Sequence, residues 1–440
     1  MKNKRNVYII DALIVLLNIA AGRGNYLLYW LIPGANIIII PIIVILVDLF
    51  YLTLRFKSQI FLPNWIQLKA ALFFVILLIY NFLNVLISSG VFQIYTLELA
   101  ILSILFVIIL HQQSRYIREM SFDLRGRVKY ISRGYMWIAF ISIYGAILSF
   151  FLYALGLVQR VPISVDYMVS NEEARTLYYR VFMSVNYVWE DVFGALEIRV
   201  PFFQEYGMFV GLFHEPHILA LNTFPCIILI LGLLTKRIAR LFMIISAILV
   251  ILLTGSTTNV LAVIVCLATF FIIQGRKHFY MSLLGVGVVL SLVTLYIAID
   301  DTFFMFVMDR IDDKGGSGAY SQNLLKFAFT PKSLLGTDFL STEFGNYGEL
   351  KGKDIGYIPF VFFLFFLIAY IKNTIKLLLK NDGLSLGVGL ASLYYIMHSA
   401  KGGMTTFMQT LPLLIIYIQY YILSYYGRNR AIKGNIVQGE

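Results

Sequence analysis

Charge is scarce in this chain of 440 residues, since Asp, Glu, Lys and Arg make up only 13% of it while 60% is hydrophobic. This balance excludes an ordinary soluble domain, in which about a quarter of the residues are charged. Cysteine is scarcer still, and Cys226 and Cys266 both lie in apolar stretches. Their placement argues against a disulfide framework and against a cysteine-ligated metal cluster.

Long apolar runs recur throughout the chain, and many reach the roughly 17–25 residues that a helix needs to cross a bilayer. We therefore expect an all-α polytopic membrane protein in which residues 1–440 form a single integral membrane domain. The N-terminus is basic and no small-residue cleavage site follows the first apolar run. This pattern predicts a first helix with a cytoplasmic N-terminus rather than a removed signal peptide.

Basic residues cluster in the short segments between the apolar runs, as they do in the cytoplasmic loops of membrane proteins. The same pattern explains the net charge of +11, so this charge does not indicate a nucleic-acid partner. It predicts about twelve spans and places both termini in the cytoplasm. The spans lie near residues 7–22, 34–54, 68–88, 94–111, 134–157, 208–234, 241–254, 259–274, 279–299, 357–378, 384–400 and 405–426.

Two long polar segments, 158–207 and 300–356, interrupt the apolar runs and carry most of the acidic residues. In the predicted topology both form large extracytoplasmic loops. The first is rich in aromatic residues, which predicts amphipathic helices lying at the membrane interface. The second begins with an acidic, glycine-rich stretch, and we expect a short helix near residues 320–329.

The first polar segment is followed by the motif GLFHEPHILAL at residues 211–221. Pro216 occupies a position where a helix can start, because the first turn leaves its backbone N–H groups unpaired. The positive end of that helix would face the outer leaflet and suit a phosphate. His214, Glu215 and His217 flank this end and can exchange protons near neutral pH. The alternatives are interfacial polar residues and a zinc site, but HEPH lacks the i, i+4 spacing of helical zinc motifs.

Arginine on the external side runs against the charge bias of membrane proteins, so each external arginine calls for an explanation. Two of them, Arg199 and Arg310, are candidate ligand contacts. Arg199 and Arg310 lie close to predicted membrane boundaries. The planar guanidinium binds pyrophosphate oxygens in pairs, although salt bridges with loop carboxylates would explain the same residues. Asp354 precedes a predicted span, where a partly desolvated carboxylate can act as a base.

Other polar groups at predicted external span ends have simpler interpretations. The stretch TGSTTN at residues 254–259 predicts a tight turn in which Ser256 or Thr257 caps the next helix, with substrate contact as the alternative. His398 and Lys401 end a predicted span and are expected to be interfacial.

The layout and five short motifs together resemble the Wzy-type polysaccharide repeat-unit polymerases of the O-antigen polymerase and ligase superfamily. The motifs are GLFHEPHILA, LLTGSTTNVLAV, GSGAYSQN, SLLGTDF and DIGYIPF. The resemblance covers most of the chain in layout but only these motifs in residues. It implies a GT-C-like membrane glycosyltransferase that moves a growing glycan from undecaprenyl pyrophosphate onto the next lipid-linked repeat unit, at the outer face of the bacterial cytoplasmic membrane. A flippase and a chain-length regulator are the protein partners it suggests.

The resemblance also implies roles for particular residues. The expected pyrophosphate contacts are Arg199, Arg310, His217 and Lys326. The expected base is the His214/Glu215 pair or Asp354. Because the pyrophosphate leaving group is already activated, the reaction would be metal-independent and would need no cofactor.

The chain departs from the family pattern in two places. Family members often carry arginine after the glycine-serine-glycine of the second loop, whereas Ala319 and Tyr320 follow Gly318 here. Many also carry arginine within the segment that matches TGSTTN. Arg310 or Lys326 would then make the missing phosphate contact. The ligase branch typically has a histidine late in the second loop, and segment 300–356 contains none, which favours a polymerase.

Three alternatives remain open: an O-antigen-type ligase, a flippase or exporter of lipid-linked oligosaccharide, and a non-catalytic scaffold. Flippases usually place charged residues inside their helices to line a cavity. The predicted spans hold few such residues, chiefly Asp11, Asp48 and Glu98. This distribution favours an extracytoplasmic enzyme.

Overall fold

The structure is a computed structural model, and most of its described residues are helical. It describes residues 2–21, 39–56, 94–119, 140–159, 161–163, 175–190, 208–209, 211, 213, 216–234, 236–254, 257–274, 357–380, 382–402, 407 and 409–437, with a few positions between 75 and 83. The helices are α1 (Lys2–Ala20), α2 (Ile39–Phe56), α3 (Ile94–Glu119), α4 (Phe140–Ala154), α5 (Pro216–Leu233), α6 (Arg237–Thr254), α7 (Thr257–Gln274), α8 (Tyr357–Leu378), α9 (Gly383–Gly402) and α10 (Thr410–Val437).

Every predicted span overlaps one of these helices except 68–88 and 279–299, which lie outside the described residues apart from a few positions of the former. Among the described residues one helix, α2, is long and apolar enough to cross a membrane, with a mean hydropathy of 2.2. Shorter apolar stretches occur in six other helices: Ile9–Ala20, Ile101–Gln113, Phe140–Ala154, Ile218–Ile230, Leu261–Phe270 and Thr410–Leu423.

A small antiparallel sheet lies within and just after the first polar segment. Its strands are β1 (Val161–Ile163), β2 (Arg175–Val181), β3 (Ser184–Glu190) and β4 (Met208–Phe209), paired in that order. The register sets Tyr178 opposite Tyr187. The prediction of amphipathic helices is therefore wrong here. Aromatic and β-branched residues on either side of a two-residue turn favour a hairpin over a helix.

The centre of the bundle is α9, which contacts α5, α7, α8 and α10. Its N-terminus is capped by Asp382, whose Oδ1 accepts a hydrogen bond from Ser385 N–H at 2.8 Å. Small residues then let the neighbouring backbones approach closely. A Cβ at Gly387 would lie 2.9 Å from the carbonyl oxygen of Leu229 in α5. The absence of a side chain at Gly387 therefore sets the α5–α9 packing.

Contacts along α9 show the directions of its neighbours. Tyr395 Oη donates to Leu221 O at 3.3 Å in α5, while Gly387 lies against Leu229, so α5 and α9 are antiparallel. In α7, Asn259 Oδ1 accepts from Tyr394 Oη at 2.7 Å and Cys266 Sγ donates to Leu390 O at 3.5 Å. Helix α7 is therefore also antiparallel to α9.

Polar side chains also join α8, α9 and α10. Gln419 Nε2 donates to Thr374 Oγ1 at 3.1 Å and lies 3.5 Å from Ser392 Oγ. The ring of Phe407, just before α10, packs at 5.1 Å from that of Tyr370. These contacts make α8 and α10 parallel to each other.

Helices α1, α2 and α3 form a second group, joined by buried polar side chains. Tyr51 Oη donates to Asp11 Oδ1 at 2.6 Å and accepts from Gln113 Nε2 at 2.9 Å. Arg55 Nε lies 3.7 Å from Asp11 Oδ1. The start of α1 and the ends of α2 and α3 therefore lie at one end of this group, and basic residues lie in the sequence at or beside each of them.

The close approach of Gly387 to Leu229 O leads to a stability prediction, for which Gly389 provides a matched control. Gly387→Ala gains about 1 kcal/mol of helix propensity but must displace a backbone carbonyl, and overpacking of this kind costs about 1–3 kcal/mol. Gly389→Ala gains the same propensity; its nearest neighbour is Leu378 Cδ2 at 2.8 Å, which can rotate away, while the nearest backbone atom is Leu378 N at 3.2 Å. We expect thermal unfolding of the purified protein at a lower temperature for Gly387→Ala than for Gly389→Ala. Equal or reversed stabilities would contradict the packing described.

Candidate functional site

Several helix ends meet where β4 leads into α5, and we name this end of the bundle the sheet end. Helix α8 is also antiparallel to α9, because Gly389 lies against Leu378 while Gln419 reaches both Thr374 and Ser392. Helices α5, α7 and α8 therefore all begin at the sheet end, and α9 ends there. Helix α10 begins there too, since it is parallel to α8. For these five helices, the ends that the predicted topology places on the external side therefore share one end of the bundle.

The β2–β3 hairpin is fixed to the bundle through its turn. Met183 N–H donates to Ser149 Oγ of α4 at 3.1 Å, and Ser149 Oγ donates to Gly145 O at 2.6 Å. Val181 is fully buried against Ala146. Phe182 adopts a φ of 47°, which allows the tight turn. The sheet is thus held against α4 by both backbone and apolar contacts.

The segment between β4 and α5 is held against the same helix. Gly211 has a φ of 59°, and a Cβ there would lie 2.9 Å from the carbonyl oxygen of Ser142. Phe213 is fully buried in the main apolar core. Helix α5 then begins at Pro216, as predicted from the sequence. Two contacts with the bundle thus set the point at which α5 starts.

Below the sheet end the bundle contains buried polar side chains. Tyr394 and Asn259 are both fully buried and share the hydrogen bond between α9 and α7. Asn259 Nδ2 has no hydrogen-bond partner within the described part of the chain. His398 is only 3% exposed, with its ring 6.1 Å from that of Tyr394. The side chain of His398 therefore packs inside the bundle near the end of α9, and its position at the membrane interface stays a prediction.

Most of the predicted site residues cannot be placed on this framework. His217 is the second residue of α5, so its backbone lies at the sheet end. The remaining candidates lie outside the described residues: His214, Glu215, Asp354, Arg199, Arg310 and Lys326. Three of these residues are close in sequence to described helix starts. His214 and Glu215 join Phe213 to Pro216, and Asp354 precedes the start of α8 at Tyr357.

The predicted turn at residues 254–259 is confirmed in its outline, since α6 ends at Thr254 and α7 begins at Thr257. The cap at Ser256 lies outside the described residues. Sequence reasoning missed the pairing of Asn259 with Tyr394. An asparagine in the first turn of a helix looks like a capping residue, and the sequence carries no signal for a partner 135 positions away.

Comparison of the chain with protein-family models, with curated proteins and with solved structures gave no match.

The close approach at Gly211 can be tested against a second glycine. Gly156 also has a positive φ, of 71°, but a Cβ there meets nothing within 4 Å. Alanine at either position has to adopt a left-handed backbone, which costs about 1 kcal/mol. Only Gly211→Ala must also push the chain away from α4. We expect a larger loss of thermal stability from Gly211→Ala than from Gly156→Ala; equal losses would refute the contact with Ser142.

Proposed function

We propose that the chain is a membrane glycosyltransferase that polymerises undecaprenyl-pyrophosphate-linked oligosaccharide repeat units into a surface polysaccharide. In this proposal about twelve helices span the bacterial cytoplasmic membrane, both termini are cytoplasmic, and the loops 158–207 and 300–356 are external. The sequence resemblance names the reaction. One observation supports the proposal most strongly. Helices α5 and α8, which follow candidate catalytic residues in the sequence, begin at the same end of an apolar bundle.

The bundle surface supports placement in a membrane. Helix α2 exposes large aliphatic and aromatic side chains along its length: Ile42, Ile43, Leu46, Leu49, Phe50 and Leu54. Helix α8 likewise exposes Phe365 and Ile368. Contiguous apolar surface of this kind is unfavourable in water and is what contact with lipid tails requires.

The sheet end suits a lipid-linked pyrophosphate. The N-terminus of a helix carries a partial positive charge that attracts anions. Helix α5 begins at the proline of the HEPH motif, directly after His214 and Glu215, and α8 begins three residues after Asp354. Both starts therefore bring acid–base side chains beside a helix N-terminus. A sheet rich in tyrosine lies at the same end and offers aromatic rings for sugar faces.

In the proposed reaction the acceptor sugar hydroxyl attacks the anomeric carbon of the donor, and undecaprenyl pyrophosphate leaves. The base that takes the hydroxyl proton is the His214/Glu215 pair or Asp354. Arg199 and Arg310, with His217 and Lys326, stabilise the charge that develops on the departing pyrophosphate. The donor and acceptor are both lipid-linked, and a flippase would supply them.

One observation favours a second candidate, a flippase. Asp11 and Asp48 are buried inside helices rather than exposed at helix ends. Charged groups inside spans are typical of transport pathways. A ligase would use much the same site and is separated from a polymerase only by its products.

Deletion of the gene in its host separates the candidates. We expect the ladder of surface glycan on a gel to collapse to a single exported repeat unit, because chain extension stops while export continues. Long polymer retained on the lipid carrier would indicate a ligase. Repeat units trapped on the cytoplasmic side would indicate a flippase, and an unchanged profile would overturn the glycan proposal.

The same deletion strain can receive point variants on a plasmid. Arg199→Ala should abolish the ladder or reduce it by about 100-fold, as loss of one transition-state contact does. The matched control is Arg180→Ala, which removes an exposed arginine of the same loop from β2 and should restore a normal ladder. Equal ladders from both variants, at equal protein levels, would remove Arg199 from the proposed site.

A further inference from the structure

A buried amide and a buried carboxyl meet between α1 and α2. Asn18 Nδ2 donates to Asp48 Oδ1 at 2.8 Å, and it also donates to Ile14 O at 3.1 Å. Both side chains are fully buried. The two remaining polar atoms of the pair, Asn18 Oδ1 and Asp48 Oδ2, have no hydrogen-bond partner within the described part of the chain.

Both of these unpartnered atoms are oxygens, so an ionised Asp48 leaves two acceptors without a donor. Buried polar atoms in this state are rare in proteins because each loses its hydrogen bonds to water. In the site that we infer from this, one proton on Asp48 Oδ2 satisfies both oxygens by donating to Asn18 Oδ1. The amide and the carboxylic acid then form a closed pair joined by two hydrogen bonds.

The ionisable groups on the surrounding helices do not favour a negative charge at Asp48. Arg55, two helical turns further along α2, lies against Asp11 of α1 at 3.7 Å. The other described ionisable side chains nearby are Tyr51 of α2 and His111 of α3, with Tyr417, Tyr420 and Tyr421 on α10, which packs against α1 and α3. Tyr51 donates its hydrogen bond to Asp11, not to Asp48. An ionised Asp48 would therefore be a buried charge far from the nearest described cation, which is strongly unfavourable.

We propose that Asn18 and Asp48 form a proton-binding site, in which Asp48 is a neutral carboxylic acid whose proton lies between Asp48 Oδ2 and Asn18 Oδ1. The ligand of this site is a single proton. The site stands on its own geometry and does not depend on the glycan reaction. It explains how α2, the most apolar of the described helices, accommodates an aspartate at its centre.

Infrared spectroscopy of the purified protein in detergent tests the site directly. The wild-type spectrum should contain the carbonyl band of a protonated carboxylic acid, and Asp48→Asn should remove it. Asp11→Asn, which alters the neighbouring carboxyl, should leave the band in place. If Asp48→Asn fails to fold, Asn18→Leu provides a second test, because loss of the acceptor should shift the band without removing it. A wild-type spectrum without the band, or one that Asp48→Asn leaves unchanged, overturns the proposal.

The pH dependence of stability gives an independent readout. On unfolding, Asp48 reaches water and is ionised above the ordinary carboxyl pKa of about 4, so unfolding in that pH range releases the proton that the folded site holds. The melting temperature of the wild type should therefore fall, relative to that of Asp48→Asn, as the pH rises through this range. Parallel pH profiles would contradict the site. Stabilisation of the wild type, but not of Asp48→Asn, by added sodium would also overturn it, because the ligand would then be a metal cation.

Discussion

The close contact between α5 and α9 is the constraint on which the rest of the main bundle depends. It exists because Gly387 lacks a side chain, which allows the carbonyl oxygen of Leu229 to occupy the space of a Cβ. With that contact made, α9 lies between α5, α7, α8 and α10. Segments that are far apart in the chain then begin or end together. The starts of α5, α7 and α8 lie at the sheet end.

Hydrogen bonds between buried side chains give this apolar bundle a single arrangement. Apolar contacts alone tolerate sliding of one helix along another, whereas a buried donor must meet its acceptor. Tyr394 with Asn259 aligns α9 with α7, and Gln419 with Thr374 aligns α10 with α8. In the second group, formed by α1, α2 and α3, the hydrogen bonds among Asp11, Tyr51 and Gln113 do the same. Polar residues in the predicted spans are thus used mainly for alignment.

The features that could be predicted from the sequence are those with a local cause. Long apolar runs predict the helices, and Pro216 predicts the start of α5, since both follow from the chemistry of neighbouring residues. The hairpin was misread because its aromatic residues suit either an interfacial helix or a strand, and pairing with a second strand decides between them. The burial of His398 depends on the packing of α9, which no short stretch of sequence encodes. Of the candidate site, only His217 falls on the described framework.

We propose that this helical bundle itself extends lipid-linked glycan, and a reconstituted reaction tests that proposal most directly. Purified protein in proteoliposomes would receive one lipid-linked repeat unit as its sole substrate, without nucleotide or added metal. The account predicts products that grow by whole repeat units, together with release of undecaprenyl pyrophosphate. Repeat units that stay unextended in the presence of folded protein, or that cross the bilayer without extension, would contradict it.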